Sequence, residues 1–128
     1  YFNFEVNCCG TLLVSYNRIM VRDKARVKYS APVLPDTGKQ IKVFHSLSCP
    51  LKKEIIEPVR WIVELGVPLS FFEVFAGPLG KLQGSLWRAN FNKCADESSQ
   101  PHWATWSPVS EKNFHRPEDF GEMTFAGR

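Results

Sequence analysis

The sequence predicts an all-β chain: an antiparallel β-sandwich of jelly-roll or immunoglobulin-like type, with one or two short helices. Three observations carry this expectation. Short runs show the two-residue alternation of strands with one apolar face. Proline- and glycine-bearing loops separate the runs. Helical periodicity is scarce, and there is no internal repeat or low-complexity tract.

The first run is Phe2–Cys8. Phe2, Phe4, Val6 and Cys8 fall on one face, with Asn3, Glu5, Asn7 and Cys9 on the other. Gly10 follows, and Thr11–Tyr16 reads as a second strand or as a continuation past a bulge. Residues 17–40 are charged and carry Pro32, Pro35 and Gly38, which suggests a long connection. Lys39–Leu47 fits either a short helix or a strand. Val59–Val67 alternates cleanly between Pro58 and Pro68 and reads as a strand that must stop at both ends. Ser70–Phe75 suggests one or two helical turns capped by Ser70.

Beyond the loop holding Gly77, Pro78, Gly80 and Gly84, Leu86–Cys94 is expected to be one strand. Trp87, Ala89 and Phe91 would face inward, opposite Arg88, Asn90 and Asn92. Ala95–Pro101 is a polar loop, and His102–Ser107 resumes extended structure. Pro108–Asp119 is irregular, and Phe120–Phe125 closes the chain as a last strand.

Length and composition bound the function. The 128 residues suit a single domain, and 44% hydrophobic with 23% charged residues describes an ordinary globular chain. No apolar run reaches the roughly 20 residues needed to span a bilayer. The chain opens on Tyr1-Phe2-Asn3-Phe4 with neither an initiator Met nor a signal peptide, so it reads as a processed product or the ordered part of a longer chain. A net charge of +3 is small, and the densest basic stretch, Arg18–Lys28, also holds Asp23. That is no concentrated basic face, so nucleic acid is not an expected partner.

Cys8, Cys9, Cys49 and Cys94 allow three complete pairings. The plainest reading is buried free thiols; a bridge from Cys94 to Cys8 or Cys49 would suit a secreted protein. A hydrolase would have to pair Cys94 with His102, but no nucleophile motif surrounds Cys94. The carboxylates lack the shared frame that glycoside hydrolysis requires. His45, His102 and His115 lack zinc-ligand spacing, so neither a catalytic nor a metal site is expected.

The last third carries a specific string. Trp87-Arg88-Ala89-Asn90-Phe91-Asn92-Lys93-Cys94 is followed by Pro101-His102-Trp103-Ala104-Thr105-Trp106-Ser107-Pro108. Then come Phe114-His115-Arg116-Pro117-Glu118-Asp119-Phe120-Gly121 and Met123-Thr124-Phe125. With Phe4-Glu5-Val6-Asn7 leading to Gly10-Thr11, and Trp61–Pro68, this order resembles carbohydrate-binding module family 9-like domains, particularly those in secreted proteins of Bacteroides-type bacteria. The resemblance implies a DOMON-like β-sandwich and a non-catalytic module that binds plant-type polysaccharide, xylan- or cellulose-like. It implies a secreted, periplasmic or cell-surface location and an attached or associated glycoside hydrolase. Family members carry further strands before the segment matching Tyr1–Cys8, so the resemblance also implies a longer polypeptide. No cofactor is expected; structural calcium occurs in related members, but Asp96-Glu97 and Glu118-Asp119 form no recognisable loop for it.

Sugars are held by rings that stack on their apolar faces and by planar polar groups that bond their hydroxyls. The expected carbohydrate-binding residues are therefore Arg88, Asn90, Trp103 and Trp106. On an extended segment Trp103 and Trp106 face opposite ways, so one is expected to be packed and the other available. Trp61 and Trp87 read as core. His115 and the segment to Gly121 read as scaffold, with Gly121 supplying backbone freedom. Two rivals remain: a haem-binding DOMON-type electron-transfer domain using Met20 or Met123 with a histidine, and a structural spacer with no ligand.

Overall fold

A computed structural model describes residues 1–22 and 25–126. Among the described residues the chain is all-β, with antiparallel pairing throughout and two short α-helices, as expected. It divides into two compact units, Tyr1–Pro78 and Leu79–Arg128. Asp23, inside the basic stretch, lies outside the described residues.

In the first unit, β1 (Phe2–Val6) pairs with β2 (Leu12–Arg22), and β2 pairs with β3 (Ala25–Pro32). The stretch expected to be a long connection is thus mostly a hairpin. Its charges misled because a strand in a sheet of this kind can be wetted on one face. A short helical turn, α1 (Pro35–Gly38), leads to β4 (Lys42–His45), which pairs with β5 (Val63–Gly66). Lys39–Leu47 therefore resolves as a strand. Only the end of Val59–Val67 is paired, because β4 is four residues long and offers partners from Val63 onward.

Helix α2 (Leu69–Ala76) follows. Its N-cap is Pro68, which sits comfortably in extended backbone there, not Ser70. The Ser70 hydroxyl instead donates to Gln40 Oε1 at 3.2 Å. Phe71 is fully buried and forms the core with Val14 and Ile41. The Phe2 ring lies 5.0–6.2 Å from Phe4, Tyr16, Phe71, Phe72 and Phe75. The alternation of β1 thus delivers its apolar face onto the helix, at the tilted and edge-on geometries that aromatic quadrupoles favour.

The β1–β2 turn is built by Asn7, whose Oδ1 accepts from the backbone of Cys9 and Thr11. Gly10 completes it at φ +79°; a Cβ there would also meet His45 Cδ2 at 2.7 Å. A disulfide joins Cys9 to Cys49, while Cys8 and Cys94 are free thiols. The pairing differs from both sequence readings, four free thiols or a bridge from Cys94 to Cys8 or Cys49. Adjacent cysteines cannot share a side of a strand, and the turn presents Cys9 to the segment after β4.

In the second unit the expected strand Leu86–Cys94 is broken. β6 (Leu86–Ala89) pairs with β9 (Gly121–Thr124), and β7 (Asn92–Ala95) pairs with β8 (His102–Thr105). Asn90-Phe91 is the break. Trp87 remains half-buried and edge-on to Phe125 at 5.2 Å, but Phe91 is 62% exposed and not in the core. β1 and β6 belong to different sheets.

The segment before β9 includes a 3-10 turn at Pro117–Asp119 and is pinned by charge. Asp119 Oδ2 accepts from Ser110 N and Oγ and from Arg116 Nε, at 2.8–2.9 Å. Arg116 also pairs with Glu111 at 2.7 Å and Glu118 at 3.3 Å. The Ser110 bonds, then Arg116, hold the Asp119 carboxyl below its ordinary value of 3.8.

Two outcomes are expected. The Cys9–Cys49 bridge closes a loop with a sequence separation of 40. Loop-closure entropy then assigns it about 3–4 kcal/mol, so Cys9→Ser should lower the unfolding free energy obtained from urea titration by about that much. Because the Asp119 pKa is depressed, its contribution is present above 3.8 and disappears as pH falls through the folded value. The stability gap between wild type and Asp119→Asn in urea titrations should therefore narrow below pH 3.8.

Candidate functional site

The break at Asn90 organises the second unit. Asn90 Oδ1 accepts from Phe91 N at 3.0 Å, Ser107 N at 2.8 Å and the Thr105 hydroxyl at 3.2 Å. Its Nδ2 donates to Ser107 O at 3.0 Å. One carboxamide thus fixes the end of β6, the start of β7 and the segment leaving β8. Trp106 N donates to Phe91 O at 2.9 Å, completing the clasp. Asn90 is satisfied by protein groups on both ends of its amide, so it sets positions around it.

Its product is an exposed aromatic pair. Phe91 and Trp106 lie edge to face, centroids 5.6 Å apart, and Trp106 is 54% exposed. The Trp106 ring lies over Gly121, where a Cβ would fall 2.7 Å from Cζ3 and 3.0 Å from Cη2. Gly121 is therefore required for space, not for backbone freedom. Ser107 Oγ donates to Asp119 O at 2.9 Å, tying the Trp106 segment to the charged loop.

Arg88, on β6 one residue from the partner of Gly121, is held by backbone carbonyls. Nε and Nη2 donate to Phe120 O at 3.1 and 2.8 Å, and Nη2 donates to Glu118 O at 2.9 Å. Nη1 has no partner among the described residues, so a rigid, exposed pair of N–H donors remains. Sequence reading named Arg88, Asn90 and Trp106; Asn90 and Trp106 meet at the β6 break over Gly121, whereas Arg88, opposite Glu122, leaves the other face of the β6–β9 pair. It missed Phe91, because an unbroken alternation assigned that ring to the core.

Trp103 has a different setting. It is 40% exposed, opposite Cys94 across the β7–β8 pair. Its Nε1–H donates to Asp96 Oδ1 at 2.6 Å, and Lys112 Nζ lies 3.1 Å from its ring centroid. Both tryptophans are thus exposed, in place of the expected division into one packed and one available. The segment is not extended throughout, because β8 ends at Thr105.

Other chemistry finds no frame. The Cys94 thiol donates to Asp96 Oδ2 at 2.7 Å, and that bond raises its pKa, the opposite of what an activated nucleophile needs. His102 stands across from Ala95 and binds Gln100 O through Nδ1. Met123 is half-buried opposite Trp87, while Met20 is exposed on β2. Among the described residues no group of three or more His, Cys, Asp or Glu can hold a metal, and no helix is long and apolar enough to cross a membrane.

A comparison with curated proteins gives no match. Among solved structures, that of a candidate carbohydrate-binding protein from Bacteroides uniformis ATCC 8492 is similar, with a TM-score of 0.76 and 30% identity. The likeness covers 98% of this chain and 54% of that one, so this chain spans little more than half of that protein. The sequence profile of carbohydrate-binding family 9 matches residues 1–125, which takes in both the β1 alternation and the whole Trp87–Phe125 string. The chain belongs to carbohydrate-binding family 9.

Proposed function

We propose that the chain is a non-catalytic module that binds plant-type polysaccharide, xylan- or cellulose-like, through the surface built around Trp106. One observation carries the reading: an exposed ring pair, Trp106 with Phe91, held in place by the Asn90 carboxamide. A pyranose has an apolar face and a rim of hydroxyls. The Trp106 ring suits the face, and the planar Nη1 donors of Arg88, on the other face of the β6–β9 pair, suit hydroxyls of a further sugar along the polymer. Both groups are held before a ligand arrives, so little conformational entropy is lost on binding. Asn90 positions the ring without touching the sugar.

The module serves an attached or associated glycoside hydrolase by holding it on its substrate. A secreted, periplasmic or cell-surface location accords with the Cys9–Cys49 disulfide, since such bonds persist in oxidising compartments.

Calorimetric titration with xylo- and cello-oligosaccharides tests this. Wild type should bind, and Trp106→Ala should weaken binding about tenfold, the equivalent of roughly 1.4 kcal/mol. Arg88→Ala should do so less strongly, with Arg88→Lys failing to restore the planar donor pair. Gly121→Ala removes no polar group, yet its Cβ would displace Trp106, so affinity should fall there too. A wild-type chain that binds neither series refutes the reading and leaves the spacer role.

A further inference from the structure

The β7–β8 hairpin bears a second feature that the Trp106 surface does not use. Trp103 and Phe114 form apolar walls of an open cleft of about 330 Å³, with Asp96, Lys112, Asn113 and His115 among its polar lining. Its size is within the range of small-ligand sites, roughly 300–1,000 Å³.

The polar groups are unequally spent. Each Asp96 oxygen already accepts a hydrogen bond, Oδ1 from Trp103 Nε1 and Oδ2 from Cys94. Those bonds, with Lys112 nearby, hold the carboxylate low in pKa and firmly ionised. Lys112 makes no ion pair within 4.0 Å among the described residues; its ammonium rests on the Trp103 ring. Asn113 Oδ1 accepts from His115 N, while its Nδ2 and the His115 imidazole have no partners among the described residues. His115 therefore does not serve as a scaffold through its ring. The cleft's groups without hydrogen-bond partners among the described residues are an ammonium, an amide NH₂ and an imidazole, two donors and a ring that donates at one nitrogen and accepts at the other, while Asp96 keeps a further lone pair on each oxygen.

Neutral sugars offer hydroxyls that donate as readily as they accept, and the Lys112 ammonium and Asn113 NH₂ use only the accepting half of that capacity. An anionic substituent offers acceptors alone and a charge to match Lys112. Exchange at Lys112 is inexpensive, because an exposed cation–π contact is weak. Drawing the ammonium toward an anion also bares the ring face it now covers, leaving Trp103 free to stack on the same sugar.

We infer that the Trp103–Lys112 cleft is a second subsite, selective for a sugar bearing an anionic group, a uronate carboxylate or a sulfate ester. The inference rests on the carbohydrate-binding reading but uses none of the Trp106 surface.

Calorimetry at about 50 mM salt, where surface charge is weakly screened, separates the two. The probes are oligogalacturonate, its methyl ester, a sulfated galactan oligosaccharide and a neutral cello-oligosaccharide. One of the anionic probes should bind more tightly than the methyl ester, and which one identifies the anion. Lys112→Gln should weaken that probe about tenfold, a loss that Lys112→Arg largely avoids, while the cello-oligosaccharide titration stays unchanged. Trp103→Ala should also weaken the anionic probe. If neither anionic probe outbinds the methyl ester, or Lys112→Gln changes nothing, the subsite is overturned while neutral binding sensitive to Trp106→Ala still supports the first reading. Anionic binding that depends on Lys112 without any neutral binding overturns the Trp106 surface and retains the subsite. Binding of no probe overturns both.

Discussion

A single carboxamide decides the shape of the second unit. Asn90 satisfies backbone groups of Phe91 and Ser107 and the Thr105 hydroxyl at once. Without it the backbone N–H groups of Phe91 and Ser107 would face a strand break with no partner, and leaving such groups unmade costs more than making them gains. The break then follows: β6 goes to β9, β7 goes to β8, and Phe91 turns outward against Trp106. The exposed rings and the small Gly121 beneath Trp106 depend on that geometry. So does the anchoring of Ser107 to Asp119, which couples the platform to the ion-paired loop.

The first unit rests on a different economy. Its apolar centre is small, with Val14, Ile41 and Phe71 buried, and much of its order comes from rings converging on Phe2 and from the Cys9–Cys49 bridge. Asn17, only 1% exposed, supports this from the polar side by donating to Ser15 Oγ at 3.0 Å. The two units thus stabilise themselves by contrasting means: aromatic packing with a covalent staple in one, and a polar clasp with a charged loop in the other.

Much of this was legible in the sequence because alternation is local. The apolar face of β1, the helix around Phe71 and the last strand all follow from residue period alone. What alternation cannot register is a break whose cause lies some fifteen residues away. Asn90 alternates correctly with Ala89 and Phe91, and only its partners at Thr105 and Ser107 reveal the interruption. The β2–β3 hairpin escaped for a related reason, since one wetted face dilutes the apolar signal. Trp106, Arg88 and Asn90 could be named from the string they belong to. The roles that separate them could not, because a carboxamide contacting backbone and an arginine contacting carbonyls look alike in one dimension. Lys112 carried no signal at all; only the fold brings it onto Trp103.

The bond between Cys94 and Asp96 bears on covalent fidelity. Thiol–disulfide exchange begins with a thiolate, and an exposed free cysteine in a disulfide-bearing chain invites scrambling. Asp96 keeps the Cys94 proton in place and lowers the fraction able to attack. The carboxylate that borders the cleft thereby also acts as a chemical safety catch, favouring survival of the Cys9–Cys49 pairing in an oxidising environment over exchange with its neighbours.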